Sequence, residues 1–248
     1  MQELMDQLSQ LKLQAFIENL SKVVDEAGQS KEAIKKALLD LCAAEIAQRK
    51  ERNVAYRIED AKFQQIQTVD TFNFNYNPST QKLKNRYLKL FDADITAQGL
   101  CVLFVGSSGL GKTHLARALG YHHCQCAQRV LFSTISHMAV DLTTADSTGV
   151  LKKSFSHYTK PALLILDEVG YVSLREQESN LVFQIISGRH DKRRSTIVTT
   201  NKSFGEWNQI FHNDAMAHAI VDRLAERSEV FHLEGKSYRE THRQRMKS

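Results

Sequence analysis

The sequence is poor in the features that mark extracellular, membrane-embedded and largely disordered proteins. It has only two prolines, Pro78 and Pro161, so long disordered linkers are not expected. Its four cysteines form no disulfide framework, which favours a reducing compartment. No stretch approaches ~18 consecutive apolar residues, and Glu3 and Asp6 lie where a signal peptide would be basic and then apolar. These absences predict a cytoplasmic protein with no membrane partner.

Motifs for metal binding and for reading DNA bases are also scarce. His122, His123, Cys124 and Cys126 lie close together, but no second group of ligands accompanies them, so a zinc site is not expected. The sequence contains neither a helix-turn-helix nor a zinc-finger pattern. Any nucleic-acid binding should therefore use contacts to backbone phosphates, which carry no sequence information.

The net charge of +5 is unevenly distributed along the chain. Residues 1–70 contain 10 Lys or Arg against 12 Asp or Glu, whereas residues 71–248 contain 23 against 16. The last thirteen residues hold five Lys or Arg and one Glu. This asymmetry permits a polyanionic partner without requiring one, because a basic tail is often only solvated.

The pattern of apolar residues divides the chain into three parts. Residues 1–67 have helical periodicity, with one helix over the first ~26 residues and a second after Ser30, so we expect a small helical domain. Residues 68–82 alternate aromatic residues with asparagine and predict an extended linker. Residues 83–248 form the main domain, which ends in the basic tail.

The main domain alternates short apolar runs with helical patterns. Such alternation predicts an α/β fold, in which a mainly parallel sheet is covered by helices on both faces. The predicted strands are Leu100–Val105, Arg129–Ile135, Ala162–Leu166, Thr196–Thr200 and Glu229–Leu233.

A phosphate-binding loop follows the first predicted strand. Residues 106–113 have the spacing of this motif at every fixed position, and a helical stretch follows. Backbone N–H groups of the loop would face phosphates at the helix N-terminus. Lys112 would contact the β- and γ-phosphates, and the Thr113 hydroxyl would bind Mg²⁺. The expected contacts to ATP are Gly106, Ser107, Ser108, Gly109, Leu110, Gly111, Lys112, Thr113 and His114.

Polar residues follow two later strands. Asp167 and Glu168 end an apolar strand, where Asp167 would hold the metal with Thr113 and Glu168 would polarise the attacking water. The strand that ends at Thr200 and Asn201 should lie between the other two, which would direct one of these side chains at the γ-phosphate. Asparagine is also a common turn former, so this role is a hypothesis.

Arg223 lies on a helix predicted late in the chain. It could reach a neighbouring subunit's γ-phosphate and stabilise the charge of the transition state. The alternative is an ordinary surface ion pair with Asp222 or Glu226.

The chain resembles the insertion-sequence transposition helper ATPases (IstB type) over nearly its whole length. These belong to the AAA+ clade shared with bacterial replication initiators and DnaC-type helicase loaders. The nucleotide motifs are common to many ATPases. The segments Phe204–Trp207 and Gly235–Arg239 favour the transposition helpers over DnaC. The matching segments are Gly106–Thr113, Leu164–Tyr171, Arg193–Asn201, Phe204–Trp207, Ile220–Leu224 and Gly235–Arg239.

The resemblance implies a phosphate-loop AAA+ fold, an ATPase activity with Mg²⁺, and a function in transposition. Arg223 matches the family's arginine finger. Such proteins form ATP-dependent oligomers on duplex DNA and deliver a target site to a cognate transposase. The main alternative is a DnaC-like helicase loader; a metabolic nucleotide enzyme is a third possibility that the missing substrate lid disfavours.

The resemblance leaves the adenine pocket and the DNA contacts open. About fifteen residues follow the last predicted strand, so we expect no full C-terminal helical lid. Phe72 and Phe74 could close the adenine pocket instead, or could simply pack in the core. Lys152 and Lys153 are the preferred DNA contacts. A second basic cluster contains Arg193 and Arg194, which could equally serve a subunit interface, and the basic tail is a third candidate.

Overall fold

The computed structural model describes residues 2–26 and 31–238. It divides the chain into two compact units, Met1–Tyr56 and Arg57–Ser248. The boundary therefore lies eleven residues before the one expected at residue 67. The reason is that residues 57–67 pack with the second unit. Ala61 is fully buried in its core, and the Ala61 carbonyl accepts a hydrogen bond of 2.8 Å from the Phe132 N–H.

The N-terminal unit is helical, as predicted, but its first helix is interrupted. Helices α1 (Gln2–Gln10) and α2 (Gln14–Glu26) replace the single expected helix, and α3 spans Lys31–Asp60. Lys12 adopts a left-handed backbone (φ 55°), and the Leu13 N–H donates to the Leu8 carbonyl at 3.0 Å. This bond closes the end of α1 in the way that terminates many helices. Residues 27–30, where the first predicted helix gives way to the second, lie outside the described residues.

A buried carboxylate organises this unit. Glu45 of α3 is 4% exposed and accepts hydrogen bonds from the Ala15 and Phe16 N–H groups at the start of α2, at 2.9 and 3.3 Å. Arg49 donates to the other Glu45 oxygen at 2.7 Å. The Arg49 hydrogen bond, together with the two backbone bonds, lowers the pKa of Glu45 from its usual 4.5. The carboxylate therefore satisfies helix N–H groups that have no partner within α2.

We expect Glu45→Gln to weaken the start of α2 in a pH-dependent way. A carboxyl whose pKa is lowered on folding stabilises the fold above its ordinary pKa, and this stabilisation is lost as pH falls through the lower folded value. Amide hydrogen exchange over residues 11–20 should therefore be faster in the variant at neutral pH, and the difference should vanish in acid. Glu18→Gln, at an exposed glutamate of α2, is the control. An unchanged exchange rate in Glu45→Gln would exclude this capping role.

Residues 68–82 do not form the predicted extended linker. They contain two 3₁₀ turns, Val69–Thr71 and Phe74–Tyr76, followed by the start of α4 (Pro78–Asp92). The asparagines cause these turns locally: the Asn73 side chain accepts from the Asn75 N–H at 3.1 Å, and Asn77 caps α4 reciprocally with Thr80. Proline at the first helical position fits this start. The alternation of aromatic residues with asparagine is thus a series of turns and caps.

The second unit contains a five-stranded parallel sheet, as predicted. The strands are β1 (Cys101–Gly106), β2 (Val130–Thr134), β3 (Leu163–Val169), β4 (Ser195–Thr200) and β5 (Ser228–Leu233). Their order in the sheet is β2-β3-β4-β1-β5, and all four pairings are parallel. The expectation that β4 lies between β1 and β3 is confirmed. The carboxyl ends of these three strands therefore meet at one edge of the sheet.

Helices cover both faces of this sheet. The remaining helices are α5 (Ile95–Gln98), α6 (Lys112–Gln125), α7 (Ile135–Ser147), α8 (Leu151–Thr159), α9 (Glu176–Asp191) and α10 (Asp214–Ala225). Alternate strand residues are buried on opposite faces: one core includes side chains from α7, α9 and α10, and the other includes side chains from α4 and α6. Within residues 2–26 and 31–238, no helix combines the length and apolar character needed to cross a membrane.

Candidate nucleotide site

The loop between β1 and α6 has the backbone of a phosphate cradle. Gly109 and Gly111 have φ angles of 77° and 88°, which other residues rarely adopt. A β-carbon at Gly109 would also collide with the Ser237 side chain, and one at Gly111 would come within about 2.5 Å of the Phe72 ring. Helix α6 then begins at Lys112, so its first N–H groups face the loop. The sequence therefore needs glycine at these positions for backbone shape and for close packing.

Lys112 is held inside this loop. Its Nζ atom donates to the Gly106 and Ser107 carbonyls at 2.7 and 2.8 Å, and the residue is only 6% exposed. The helix that carries Lys112 is also anchored from the core: the buried Tyr87 hydroxyl donates to the Leu115 carbonyl of α6 at 2.9 Å. Burial raises the pKa of Tyr87, so the phenol remains a neutral donor. The Lys112 ammonium group therefore lies within the loop, and the residue lines the cavity described below.

Two threonine hydroxyls meet one carboxylate beside the loop. Thr113 donates to Asp167 Oδ1 at 3.0 Å, and Thr199 of β4 donates to the same oxygen. Asp167 is 2% exposed, whereas the neighbouring Glu168 is exposed. Glu168 has a left-handed backbone (φ 62°), at a point where the β3–β4 register shifts between Leu166 and Val169. The irregular strand end leaves one acid buried and the next one facing outward.

A cavity of about 480 Å³ connects these groups. Residues 108–114 form one side, and Thr134, Asp167, Glu168, Tyr171 and Thr199 form the second. The rest of the cavity wall comes from Gln64, Gln65, Gln67, Thr71, Phe72, Asn73, Tyr76, Asn77, Thr80, Arg117 and Tyr238. Its volume lies within the range of small-molecule sites.

The two candidate aromatic residues have different positions. Phe72 lines the cavity, with its ring centroid 5.2 Å from that of His114, while Phe74 is buried against Tyr87. Phe74 therefore packs in the core, whereas Phe72 packs against the core and also lines the cavity, where it stays a candidate for the adenine pocket. His114 belongs to the cavity, as predicted, and its Nε2 atom lies 2.9 Å from the Thr68 carbonyl.

The segment after β5 also borders the cavity. The Tyr238 N–H donates to the Gly109 carbonyl at 3.0 Å, and the rings of Tyr238 and Tyr76 are 4.8 Å apart. The Tyr76 hydroxyl donates to the Ser237 carbonyl at 3.1 Å. This end of the cavity therefore has an aromatic wall that the periodicity of the sequence did not reveal. Arg239, the last residue of the Gly235–Arg239 motif, lies outside the described residues.

Among the polar residues of β4 and the turn that follows it, Thr199 lines the cavity and Asn201 does not. Asn201 lies behind Gly170: its Oδ1 atom is buried without a hydrogen-bond partner within the part of the chain that the structure describes. The catalytic role expected for Asn201 therefore finds no support in this geometry. Thr199 is not among the predicted site residues, because the prediction concerns the residues at the end of the strand, Thr200 and Asn201. The available signal is a threonine two positions before Asn201, the spacing that places residues on one face of an extended strand.

The remaining candidate cations lie away from this cavity. Arg193, Arg194 and Arg223 line a separate small cavity with Arg227 and His190, near the amino ends of β1 and β4. Arg223 donates to the Ala219 carbonyl at 2.9 Å and lies over the Phe183 ring. Glu226, the expected alternative partner of Arg223, instead contacts His190 and Arg227.

Lys152 and Lys153 are exposed on α8. The end of this helix is fastened to the sheet by the buried Arg189, which donates to the Tyr158 and Pro161 carbonyls at 2.9 and 3.0 Å and to Thr196 of β4. Burial lowers the pKa of Arg189 to about 9, so it remains charged at neutral pH. Residues 239–248 of the basic tail, the third candidate, lie outside the described residues.

The comparison that decides the family covers nearly the whole chain. The family model described as IstB-like ATP binding protein matches residues 6–246. The chain belongs to this family. A Geobacillus stearothermophilus protein named for ATP binding in insertion sequence IS5376 is 33% identical over 229 residues, 92% of this chain and 90% of the relative. A similarly named protein of insertion sequence IS232 from Bacillus thuringiensis subsp. berliner is 32% identical over 238 residues, 96% and 94% of the two chains.

Solved structures confirm the AAA+ fold of this IstB-like chain. The DnaC helicase loader matches with a TM-score of 0.61 at 23% identity, over 67% of this chain and 96% of the loader. AMPPCP-bound DnaA from Aquifex aeolicus matches with a TM-score of 0.57 at 18% identity, over 73% of this chain and 54% of DnaA. At these identities the likeness concerns the fold alone. Together with the family, it identifies an ATP-binding AAA+ protein.

Proposed function

We propose that this chain is a magnesium-dependent ATPase that assembles on duplex DNA and assists a transposase. The observation that carries the proposal is the meeting of Lys112, Thr113, Asp167 and Glu168 around one cavity. A phosphate-binding lysine, hard oxygen ligands and an exposed carboxylate are the groups that ATP hydrolysis needs.

The donor set fits Mg²⁺. Thr113 and Asp167 present hydroxyl and carboxylate oxygens already 3.0 Å apart, and Mg²⁺ prefers oxygen ligands shared with phosphates and water. When bound, Mg²⁺ neutralises charge on the phosphate oxygens. Lys112 and the N–H groups of the loop would hold the phosphates in place.

Glu168 is the candidate base. It lines the cavity and is exposed, in contrast to the buried Asp167 beside it. A carboxylate in this position can accept a hydrogen bond from the attacking water and draw its proton away as the bond to phosphorus forms. Asp167 would instead bind the metal.

Arg223 is proposed to act on a neighbouring subunit. It lies by the amino ends of the strands, whereas its own nucleotide cavity is at their carboxyl ends. This position argues against a contact with its own γ-phosphate. We propose a homo-oligomer in which Arg223 of one copy completes the site of the next. Arg193 and Arg194 share the small cavity with Arg223, so a role at this interface is favoured over DNA contact.

DNA binding is proposed to use phosphate contacts from α8. Lys152 and Lys153 are adjacent, exposed and carried by a helix fastened to the central sheet. Transposition is supported by the insertion-sequence origin of the named relatives. The alternative of a helicase loader has only the shared fold of DnaC in its favour. Capture of a cognate transposase, with no retention of a replicative helicase, would support the first function; the reverse result would support the second.

Salt dependence tests the DNA contacts. The affinity for duplex DNA in the presence of AMPPCP should fall steeply with salt and differ little between unrelated sequences. Replacing both Lys152 and Lys153 by alanine should reduce the slope of log K against log[salt] by up to about two units, at roughly 0.9 per phosphate contact. Fluorescence anisotropy over a salt series measures this slope. Lys82 and Lys89, both exposed on α4, provide the matched double-alanine control. An unchanged slope in the Lys152/Lys153 variant would assign DNA binding to another surface.

A further inference from the structure

Thr199 stands out in the molecule because one hydroxyl group connects both acidic residues of the site. Its Oγ1 atom donates to Asp167 Oδ1 and accepts a hydrogen bond of 3.1 Å from the Glu168 N–H. A threonine hydroxyl has one proton to donate and two lone pairs. Its single proton is therefore committed to Asp167, while Glu168 is held through its backbone.

This connection lies where the strand is irregular. The β3–β4 register shifts between Leu166 and Val169, and Glu168 has a left-handed backbone that is unfavourable for a residue with a β-carbon. Such a conformation persists only where surrounding contacts determine it. The bond from the Glu168 N–H to Thr199 is one such contact, and the cross-strand pairing of Thr199 with Phe104 fixes its position from the opposite side.

Burial restricts how the Thr199 side chain can be oriented. Thr199 is 2% exposed and lies in the central strand of the sheet, with part of the residue at the wall of the cavity. Without the hydroxyl, the Glu168 N–H would lose this acceptor and Asp167 would keep only Thr113 of its two hydroxyl donors. Thr113 is also the other candidate metal ligand. Among the described residues, Thr199 is therefore the hydroxyl donor to Asp167 that is not itself a candidate metal ligand.

We propose that Thr199 is a positioning residue that sets the carboxylate of Asp167 for Mg²⁺ and the backbone of Glu168 for the attack of water. This inference rests on the proposed ATPase function and deepens it. Thr199 acts through the two acids and is not itself a catalytic group. The role differs from that expected of Asn201, which lies outside the lining of the cavity.

The test compares three variants of the full-length chain. Thr199→Val removes the hydroxyl and keeps the branched shape, whereas Thr199→Ser keeps the hydroxyl. Thr196→Val is the matched control, because it removes another buried hydroxyl of β4, one bonded to Arg189 and remote from both acids. Thermal unfolding establishes that each variant folds, and Thr199→Ala serves in place of valine if the valine protein does not.

Two measurements are made on each variant: steady-state ATP turnover, and AMPPCP affinity with and without Mg²⁺ by calorimetry. For Thr199→Val we expect kcat to fall on the order of 10- to 100-fold, as for other residues that orient metal ligands. Its affinity for AMPPCP without Mg²⁺ should match the parent, and the gain in affinity on adding Mg²⁺ should shrink. Thr199→Ser should recover both properties, and Thr196→Val should retain both.

Parental turnover and parental Mg²⁺ dependence in Thr199→Val would overturn the proposal. So would a serine variant as defective as the valine variant, because the hydroxyl would then not be the cause. If the parent binds AMPPCP with Mg²⁺ but never hydrolyses ATP, the proposed ATPase function fails. The Mg²⁺ dependence of AMPPCP binding still decides the role of Thr199 in that case.

Discussion

Replacing Glu168 by glutamine should leave ATP binding intact while turnover falls on the order of 10²- to 10⁴-fold, the usual contribution of a general base. The physical reason is that Glu168 faces the cavity but is not among the groups that cradle phosphate. Glutamine occupies the same space and cannot accept the proton. Steady-state hydrolysis, with AMPPCP affinity measured in parallel, separates the two effects.

Lys112→Ala is the matched comparison for this prediction. Lys112 supplies the only buried ammonium group in the cavity within the described residues. Its loss should abolish nucleotide binding itself, so the two variants should fail at different steps. The Glu168→Gln protein should also accumulate as a long-lived ATP-bound assembly on DNA. Parental turnover in Glu168→Gln would remove this residue from the mechanism.

Arg223→Ala should hydrolyse ATP at least on the order of 10³-fold more slowly, the contribution of arginine fingers in related phosphoryl transfers. Its nucleotide affinity as a single subunit should be unchanged, because Arg223 lies at the strand ends opposite to its own cavity. Arg175→Ala is the control, since Arg175 is exposed, pairs with Glu178 and lines neither cavity. This variant should retain most of the activity.

Mixing experiments decide whether Arg223 acts between subunits. A Glu168→Gln subunit has a defective site but keeps its Arg223, so it can complete the intact site of an Arg223→Ala subunit. Hydrolysis should partly recover when the two inactive proteins are combined on DNA. Co-assembly without any recovery would falsify the action between subunits and leave Arg223 with its contacts to Ala219 and Phe183.

The site was predictable from sequence wherever its chemistry is carried by adjacent residues. The phosphate loop from Gly106 to Thr113 is a continuous motif between a strand and a helix. Asp167 and Glu168 follow an apolar strand directly. Both motifs depend on local backbone geometry, so each can be recognised from the residue types and spacing of one short segment. The strand–helix alternation is equally local, and it predicted the parallel sheet. The position of β4 between β1 and β3 was expected instead from the architecture that the phosphate loop and the acidic pair indicate.

The turns before α4 could not be identified from periodicity alone. Alternating aromatic and asparagine residues suit an extended strand, yet the asparagine side chains close turns and cap a helix. Whether Phe72 or Phe74 faces the cavity depends on those turns. The choice was settled by Gly111, whose missing side chain admits the Phe72 ring, and by the core around Tyr87, which buries Phe74.

The sequence by itself determined the fold class and the family of this protein, and it predicted the residues of the candidate nucleotide site. Only the tertiary structure decided that Thr199 joins the two acids, that Asn201 lies behind Gly170, and that Arg193 and Arg194 lie beside Arg223. These relations join residues 25 or more positions apart in the chain, and they depend on strand register and on the shift beside Glu168. A one-residue change of register turns a side chain to the opposite face of a sheet. Composition and motif spacing do not encode that register.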